Sequence, residues 1–580
     1  MSIPADQALA IAISHHQAGR FAEAEGIYRQ LLSANRNHLR VLDLLSYLCL
    51  QTARPAVAQA LLQRAIELDP TQPTYRSNLG EALRRLGKYE QAVEAYRAAL
   101  AIDSSIAAVH SNLGIALAES GQIQEAIASF HKAVELAPDY ADAWCNLSNA
   151  YNEAAMDEQA LSAAEQAVAM CPASAVNHNT LAVALAAVGR YPEAIAAYRR
   201  ATSLNPGYVD AWSNLGNALA AEGQTQEALA ASGKAVELDP GSLQSHWNYA
   251  VVLLRSGDLA RGWAEYEWRW TAQTRFPRVK QRFNPPRFPT PMWDGAKLGG
   301  RIILLHAEQG FGDTIHFARY APMVADRGGK VVIEAQPECY RLLRSLRGIE
   351  TVIVRGEPVP PFDAHCPLMS LGRLFGTTLD SIPAEIPYLS ADESDAAAWQ
   401  RKLGPSGGRL RVGLCWAGSP THSDDDKRTI ALAQLAPLAS EGIEFHCLQK
   451  GPAAAAAQHP PAGMTLQNHA DALTDFAETA ALIANLDLVI TVDTAVGHLA
   501  GALGKPVWML VRSLSDWRWL TDREDTPWYP TMRLFRQKRP GDWAEAIDRV
   551  AAALRDAAQA QTSSCWPRRP PCRISDENDI

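Results

Sequence analysis

The feature that most constrains this chain is a self-similarity of fixed step. "SNLGEALRRLGKYEQAVEAYRAALAID" begins at Ser77, "SNLGIALAESGQIQEAIASFHKAVELAPD" at Ser111 and "SNLGNALAAEGQTQEALAASGKAVELDPG" at Ser213. The offsets are 111 − 77 = 34 and 213 − 111 = 102, three times 34. Pro70, Pro138, Pro172, Pro206 and Pro240 keep the same phase, with Ser104 and Arg36 where proline is missing. Gly87, Gly121, Gly189, Gly223 and Gly257 keep it too, with Ala155 standing in once. A step of this size predicts stacked units that bury their apolar faces only against each other.

The pattern resembles the tetratricopeptide repeat, a helix–turn–helix of about 34 residues. Small residues such as Gly80, Gly114, Ala182 and Gly216 let the two helices of a pair approach. Ala92, Ala126, Ala160, Ala194 and Ala228 do the same on the second helix. The mid-repeat glycine ends the first helix because it accepts positive φ. The proline after "ELD" or "ELA" cannot continue the second. About seven pairs are expected between residues 5 and 242. An eighth, partial pair contains "WNYAVVLLRSGDLARGWAEYEWRW", whose aromatic end suits a cap that docks on the next domain.

Asn78, Asn112, Asn146, Asn214 and Asn248 share one phase, interrupted by Thr180. In this repeat the first helix lines the concave face. A row of amides there can bond a peptide backbone without reading its sequence, since each offers donors and an acceptor. The alternative is that asparagine caps or braces the neighbouring helix.

At 580 residues the chain is too long for one core. A hydrophobic fraction of 47% and a charged fraction of 20% are those of a soluble globular protein. The formal charge of −9 argues against nucleic-acid binding and against a polybasic membrane anchor. Nine cysteines without metal-ligand spacing point to a reducing compartment. The N-terminal residues do not read as a signal peptide, and no run of about 18 apolar residues predicts a membrane span. The location expected is therefore cytoplasmic.

Residues 1–272 are assigned to the repeat array and 273–299 to a proline-rich, basic-aromatic connector. Beyond it the rhythm changes. "RIILLHA", "KVVIEA", "ETVIVR", "RVGLCWAG", "EFHCLQK", "LDLVITVD" and "PVWMLV" alternate with helical stretches. That is the rhythm of doubly wound parallel sheets. Residues 300–392 and 393–558 are read as two Rossmann-like domains, and 559–580 as a disordered tail. In such sheets ligands lie beyond the carboxyl ends of the strands.

"DLVITVDTAVGHLAGALGKPVWMLV" reads as strand, loop, helix, strand, with Asp493 and Thr494 ending the strand. A helix start exposes unpaired N–H groups and a positive dipole end, which attract phosphate. Ala495 and Gly497 are small enough to permit close approach. "AEQGFGDTIHFARY" opens another helix after a strand, with Gly310, Gly312 and Asp313 at its start. Asp313 is a candidate general base, or the cap of its own helix. His316, one turn on, is the second candidate base. His498 either bonds a donor phosphate or satisfies a backbone carbonyl. Arg428 follows "SDDDK" and either reaches the donor or belongs to a solvated loop. Lys427 and Lys450 are further cations, and Asp424–Asp426 superficially suits a metal. "LSDWRWLTDREDTPWYP" is expected to pack the back of the donor domain, with Arg518 a weak candidate for the cleft.

"DFAETAALIANLDLVITVDTAVGHLAGALGKPVWML" resembles the donor-binding segment of the heptosyltransferase-like glycosyltransferases of family 9. Its Asp-Thr-x-x-x-His-Leu-Ala core stands at Asp493, Thr494, His498, Leu499 and Ala500. "GFGDTIH" resembles that family's acceptor-side loop, which implies Asp313 as catalytic base. "VGLCWAGSPTHSDDDKRTIAL" resembles its first donor-domain loop, which implies phosphate contacts from Ser419 and Arg428. The layout is also similar to protein O-glycosyltransferases, including the family 41 O-GlcNAc transferases and bacterial flagellin glycosyltransferases. The fold expected is an α-solenoid (tetratricopeptide superhelix) followed by an α/β GT-B fold of two Rossmann-like domains. The function expected is metal-independent, inverting transfer of a sugar from a nucleotide-sugar, which is a substrate rather than a cofactor, to a protein hydroxyl recruited by the repeats. The competing expectations are a lipopolysaccharide or polysaccharide transferase, and a scaffold whose transferase half is inactive.

Overall fold

The computed structural model describes residues 4–270, 288–420, 425–521 and 523–562. Most of the connector expected at 273–299, and of the tail expected at 559–580, lies outside them. The chain divides into two compact units, Met1–Ala218 and Leu219–Ile580.

The first unit is built of antiparallel helix pairs, such as Pro73–Arg85 with Tyr89–Ile102 and Ala107–Glu119 with Ile123–Leu136. The glycines end first helices as expected: Gly87, Gly121 and Gly189 have φ of +72°, +84° and +79°. Ala53 and Ala155 hold the same turn at +54° and +56°, a left-handed conformation that a Cβ makes costly. Gly80 and Gly114 allow close helix contact: a Cβ there would lie 2.8 Å from the Tyr96 ring and 2.6 Å from the Phe130 ring.

A second periodic device emerges only in three dimensions. The ring nitrogens of His110, Trp144, His178 and Trp212 bond the carbonyl oxygens of Ser104, Pro138, Pro172 and Pro206 at 2.9–3.0 Å. Each ring thus staples the turn six residues before it, at the same phase of each repeat. The carbonyls left over where one helix ends are satisfied by the next.

The asparagine row is partly bonded along the array. Asn78 Nδ2 lies 3.5 Å from Asp43 Oδ1, Asn146 Nδ2 3.4 Å from Ser111 Oγ, and Asn214 Nδ2 3.3 Å from Asn179 Oδ1. Asn78, Asn112, Asn146 and Asn214 remain half-buried.

The second unit opens with helices Thr225–Leu238, Leu243–Arg255 and Leu259–Tyr266 and the short turn Glu267–Trp270. In it Asn248 is buried and accepts from Gln244 Nε2 at 2.9 Å. Among the described residues ten parallel strands come next, in two sheets. The first has the order β3-β2-β1-β4, with β1 Ile302–His306, β2 Lys330–Ala335, β3 Ile349–Val354 and β4 Ala364–Pro367. The second has the order β10-β9-β8-β5-β6-β7. Its strands are β5 Leu410–Cys415, β6 Ile443–Cys447, β7 Leu466–Asn468, β8 Leu488–Val492, β9 Val507–Val511 and β10 Met532–Arg536. Every residue of β5, β6 and β8 is buried, as a parallel sheet covered on both faces requires. These are two Rossmann-like lobes of a GT-B-like α/β fold.

The aromatic end of the last helical pair does dock. Trp263 donates to Thr377 O at 3.0 Å and meets Trp517 edge-on at 5.1 Å. The Arg269 side chain is 0% exposed and pairs with Glu267 at 2.6 Å and with Glu308 at 3.0 Å, also donating to Ser370 Oγ at 2.8 Å. Glu308 belongs to the loop after β1, so this turn braces the segment that leads to Asp313.

Candidate active site

The loops leaving β1, β5, β8 and β9 converge. After β1, Gly310 starts the helix Phe311–Phe317. Asp313 Oδ2 accepts from Gly310 N at 3.1 Å, so the aspartate does cap its own helix. It also does more. Oδ1 accepts from Arg518 Nη2 of the opposite lobe at 2.6 Å, and the side chain keeps 21% exposure. The two glycines divide the work: Gly310 supplies the capped N–H, and Gly312 supplies room. A Cβ at Gly312 would lie 3.0 Å from His498 Cδ2 and 3.7 Å from Ala495 Cα, so its absence lets the two lobes' helices meet beside Asp313.

The helix Ala495–Ala502 follows β8. The first backbone bonds into this helix come from Gly497 N and His498 N, both to Thr494 O, which leaves the earlier N–H groups for a ligand. Thr494 Oγ1 is 3.1 Å from Thr491 Oγ1. Asp493 Oδ2 accepts from Trp519 Nε1 at 2.8 Å, while burial and the nearby Asp516 push its carboxyl up to about 6. Arg428 donates to Asp493 O at 3.2 Å and pairs with Asp425 at 2.9 Å, lying over Gly418, where a side chain would strike its guanidinium. Ser419 is exposed in the same loop. Gln449 ties that loop to the one after β6, its Oε1 accepting from Trp416 N and Ala417 N at 3.0 and 2.8 Å.

The structure therefore brings Gly310, Gly312, Asp313, Arg428, Asp493, Thr494 and His498 to the carboxyl ends of the strands. Lys450, after β6, donates its Nζ to Ala470 O at 2.6 Å instead. His316 is fully buried, with its Nδ1 3.0 Å from Tyr529 Oη, and burial and Arg319 hold it well below the usual histidine range. It faces the interior between the lobes, which removes it as a second base. Gly497 is corrected too. Its Cβ position is filled by Met509 Cε and Thr491 Cγ2, so it packs helix on sheet rather than admitting a phosphate.

The segment after β9 is the largest correction. Trp517 and Trp519 do not pack the back of the donor lobe; with Arg518, already a weak candidate for the cleft by sequence, they are buried where the two lobes meet. Arg518 bridges Asp313 and Asp516 and lies 4.3 Å from the Trp517 ring centroid; Trp519 stacks on His498 at 5.3 Å. A tryptophan-rich stretch reads as core filling, and only the contact between lobes shows otherwise. Of the acidic run 424–426, Asp424 lies outside the described residues; among the described residues no group of three His, Cys, Asp or Glu side chains is placed to hold a metal. No described helix is long and apolar enough to cross a membrane.

Comparison with known proteins agrees with this layout. Residues 446–521 match glycosyltransferase family 9 (heptosyltransferase). Tetratricopeptide families match residues 15–82, 80–121, 105–173, 184–223 and 209–242. Protein FlbA of Caulobacter vibrioides is 28% identical over 341 residues, 53% of this chain and 54% of that protein. The chain thus spans about half the length of this curated relative. Among solved structures, a thermophilic tetratricopeptide protein of Thermus thermophilus, TTC0263, is 26% identical over 31% of this chain and 99% of its own, with a TM-score of 0.29. PilF of Pseudomonas aeruginosa is 22% identical over 36% and 94%, with a TM-score of 0.32. The chain carries tetratricopeptide repeats in its N-terminal half and, at residues 446–521, a segment that matches the family 9 glycosyltransferases.

Proposed function

We propose that this chain transfers a sugar from a nucleotide-sugar to a protein hydroxyl that its repeats recruit. The observation that carries the reading is that Asp313, on one Rossmann-like lobe, sits beside the start of the helix Ala495–Ala502 on the other and pairs with Arg518 of that lobe. A hydroxyl is a poor nucleophile until a base removes its proton. Both Asp313 oxygens already accept one hydrogen bond, but a carboxylate has about four acceptor positions, so room for the acceptor hydroxyl remains. The leaving phosphate gains negative charge as the glycosidic bond breaks. The helix start at Thr494–Val496, His498 and Arg428 supply positive potential and hydrogen bonds there, so the proposal requires no metal. Direct displacement by the hydroxyl inverts the anomeric centre. The amides of Asn78, Asn112, Asn146 and Asn214 offer a peptide backbone its partners.

The test is intact-mass analysis of proteins from cells carrying the wild-type chain, Asp313→Asn, or no chain. A sugar mass on a polypeptide, present only with the wild type, is expected. A sugar that appears on polysaccharide while no polypeptide changes mass would overturn the protein acceptor. Equal modification with Asp313→Asn would overturn the base.

A further inference from the structure

The hydroxyl of Tyr529 lies 3.0 Å from Nδ1 of His316 and 3.0 Å from Nδ1 of His498, one imidazole from each lobe. All three side chains are buried. The ring has its place because residue 501 is glycine; a Cβ there would lie 2.5 Å from Tyr529 Cδ1. Burial holds both imidazoles neutral and the phenol protonated.

Counting hydrogens fixes the direction of this chain. A neutral imidazole carries one N–H and a phenol one O–H. Tyr388 Oη, 3.4 Å from Tyr529 Oη, gives its hydrogen to Ile315 O at 3.0 Å and accepts from Arg319 Nη2 at 3.3 Å. The Tyr529 hydrogen therefore goes to one of the nearer imidazoles, and the other imidazole must donate. His316 Nε2 is buried without a partner, and its ring lies among Trp528, Phe317 and Trp517. Orphaned buried N–H groups are rarer in folded proteins than under-satisfied acceptors, so the unpartnered Nε2 is assigned as the bare lone pair. His316 thus carries its hydrogen on Nδ1 and donates to Tyr529, and Tyr529 donates to His498 Nδ1. That leaves the hydrogen of His498 on Nε2, the edge that lies nearest the Gly312 position beside Asp313.

We propose that Tyr529 is a positioning residue: its hydroxyl, anchored by His316, fixes His498 as an Nε2–H donor aimed at the phosphate of a bound nucleotide-sugar. The inference rests on the reading above, in which His498 meets that phosphate. It makes a histidine of the acceptor lobe part of the donor site's hydrogen-bond chain.

The test uses the full chain labelled with 15N-histidine, with the signals of His498 and His316 assigned by their loss in His498→Gln and His316→Gln. Nitrogen shifts should show His498 protonated on Nε2 and His316 on Nδ1, and Tyr529→Phe, which keeps the ring, should mix the two tautomers at His498. His498 protonated on Nδ1, or tautomers unmoved by Tyr529→Phe, would overturn the proposal without any turnover being measured. In parallel, nucleotide release is followed from a panel of UDP-, GDP-, ADP- and CMP-linked sugars. Partners that orient metal-bound imidazoles are worth about 10–100-fold, and Tyr529→Phe should lower kcat/KM by a loss of that order. It should cause no further loss in a His498→Gln background. Additive losses would overturn the proposal. Wild-type release by Asp313→Asn with the tautomers as stated would instead count against the base, leaving the Tyr529 assignment standing.

Discussion

The repeat helices of the first unit and the transferase region of the second differ in how far along the chain a polar group finds its partner. Among the repeats the step is short and recurrent. Asn146 reaches Ser111, Arg84 reaches Glu119 and Arg85 reaches Leu50 O, each 35 residues away. In the transferase region Arg518 meets Asp313 across 205 residues, Arg319 meets Trp528 O across 209, and His316 meets Tyr529 across 213. A repeat leans on its neighbours, so its losses should be local and graded. The transferase site exists only when remote segments have come together, so its losses should spread.

The sharpest way to break this contrast is Arg269→Met. The guanidinium is buried between Glu267 and Glu308, and removing one partner of a buried ion cluster costs about 3–5 kcal/mol. Hydrogen exchange should show lost protection across the peptides spanning residues 300–555 and unchanged protection at 5–200. Loss confined to the immediate neighbours of Arg269 would refute the spreading behaviour.

Acid should produce a graded loss in the same region. Burial, with neighbouring positive charge, lowers His306 and His446 from 6.5 to about 3, and burial lowers His469 to about 4. The unfolded chain takes up these protons once the pH falls below about 6.5, while the fold resists them. Their contribution to stability is therefore complete above pH 6.5 and declines as the pH falls toward 3. Urea midpoints of the transferase region at pH 7.5, 5.5 and 4.5 should fall in that order; a midpoint flat over this range would contradict it.

On the repeat side the matching perturbation is Gly114→Ala. The added carbon would lie 2.6 Å from the Phe130 ring, and overpacking of this kind costs about 1–3 kcal/mol. Exchange should accelerate in Ala107–Glu119, Ile123–Leu136 and the adjoining pairs, and nucleotide release by the transferase region should be unchanged.

What was legible before the structure divides along the same line. The repeats could be read because Gly87, Gly121 and Gly189 recur at one step, and recurrence separates a structural demand from chance. The positions of Asp313, Asp493 and His498 after strands and at helix starts could be read because each sits in a short strand–loop–helix stretch. Tyr529 could not, and Arg518 could be read only as a weak candidate for the cleft, since what defines them is a partner some two hundred residues away, and no local pattern encodes it. Gly497 was misread for a related reason. A glycine near a helix start suits phosphate approach and close sheet packing equally well, and only Met509 on β9 decides between them. The ring staples of His110, Trp144, His178 and Trp212 were periodic but went unseen, because histidine and tryptophan alternate and share only a ring N–H.

The smallest expected effect on stability tests the asparagine row. Asn78, Asn146 and Asn214 reach their neighbours at 3.3–3.5 Å, at the long limit of a hydrogen bond, and all three are half-buried. Such contacts brace weakly, and truncating a side chain of this kind changes stability by no more than about 0.5 kcal/mol. Asn112→Ala with Asn146→Ala should therefore leave the urea midpoint of the first unit almost unmoved. If the amides hold an acceptor backbone, the same pair should still reduce protein modification in cells, while nucleotide release without acceptor stays at the wild-type rate. A drop in midpoint with modification unchanged would mean that the row braces its neighbours and binds nothing. The contrast between the two units would then hold for stability alone, with no part of the acceptor site drawn from this row of amides.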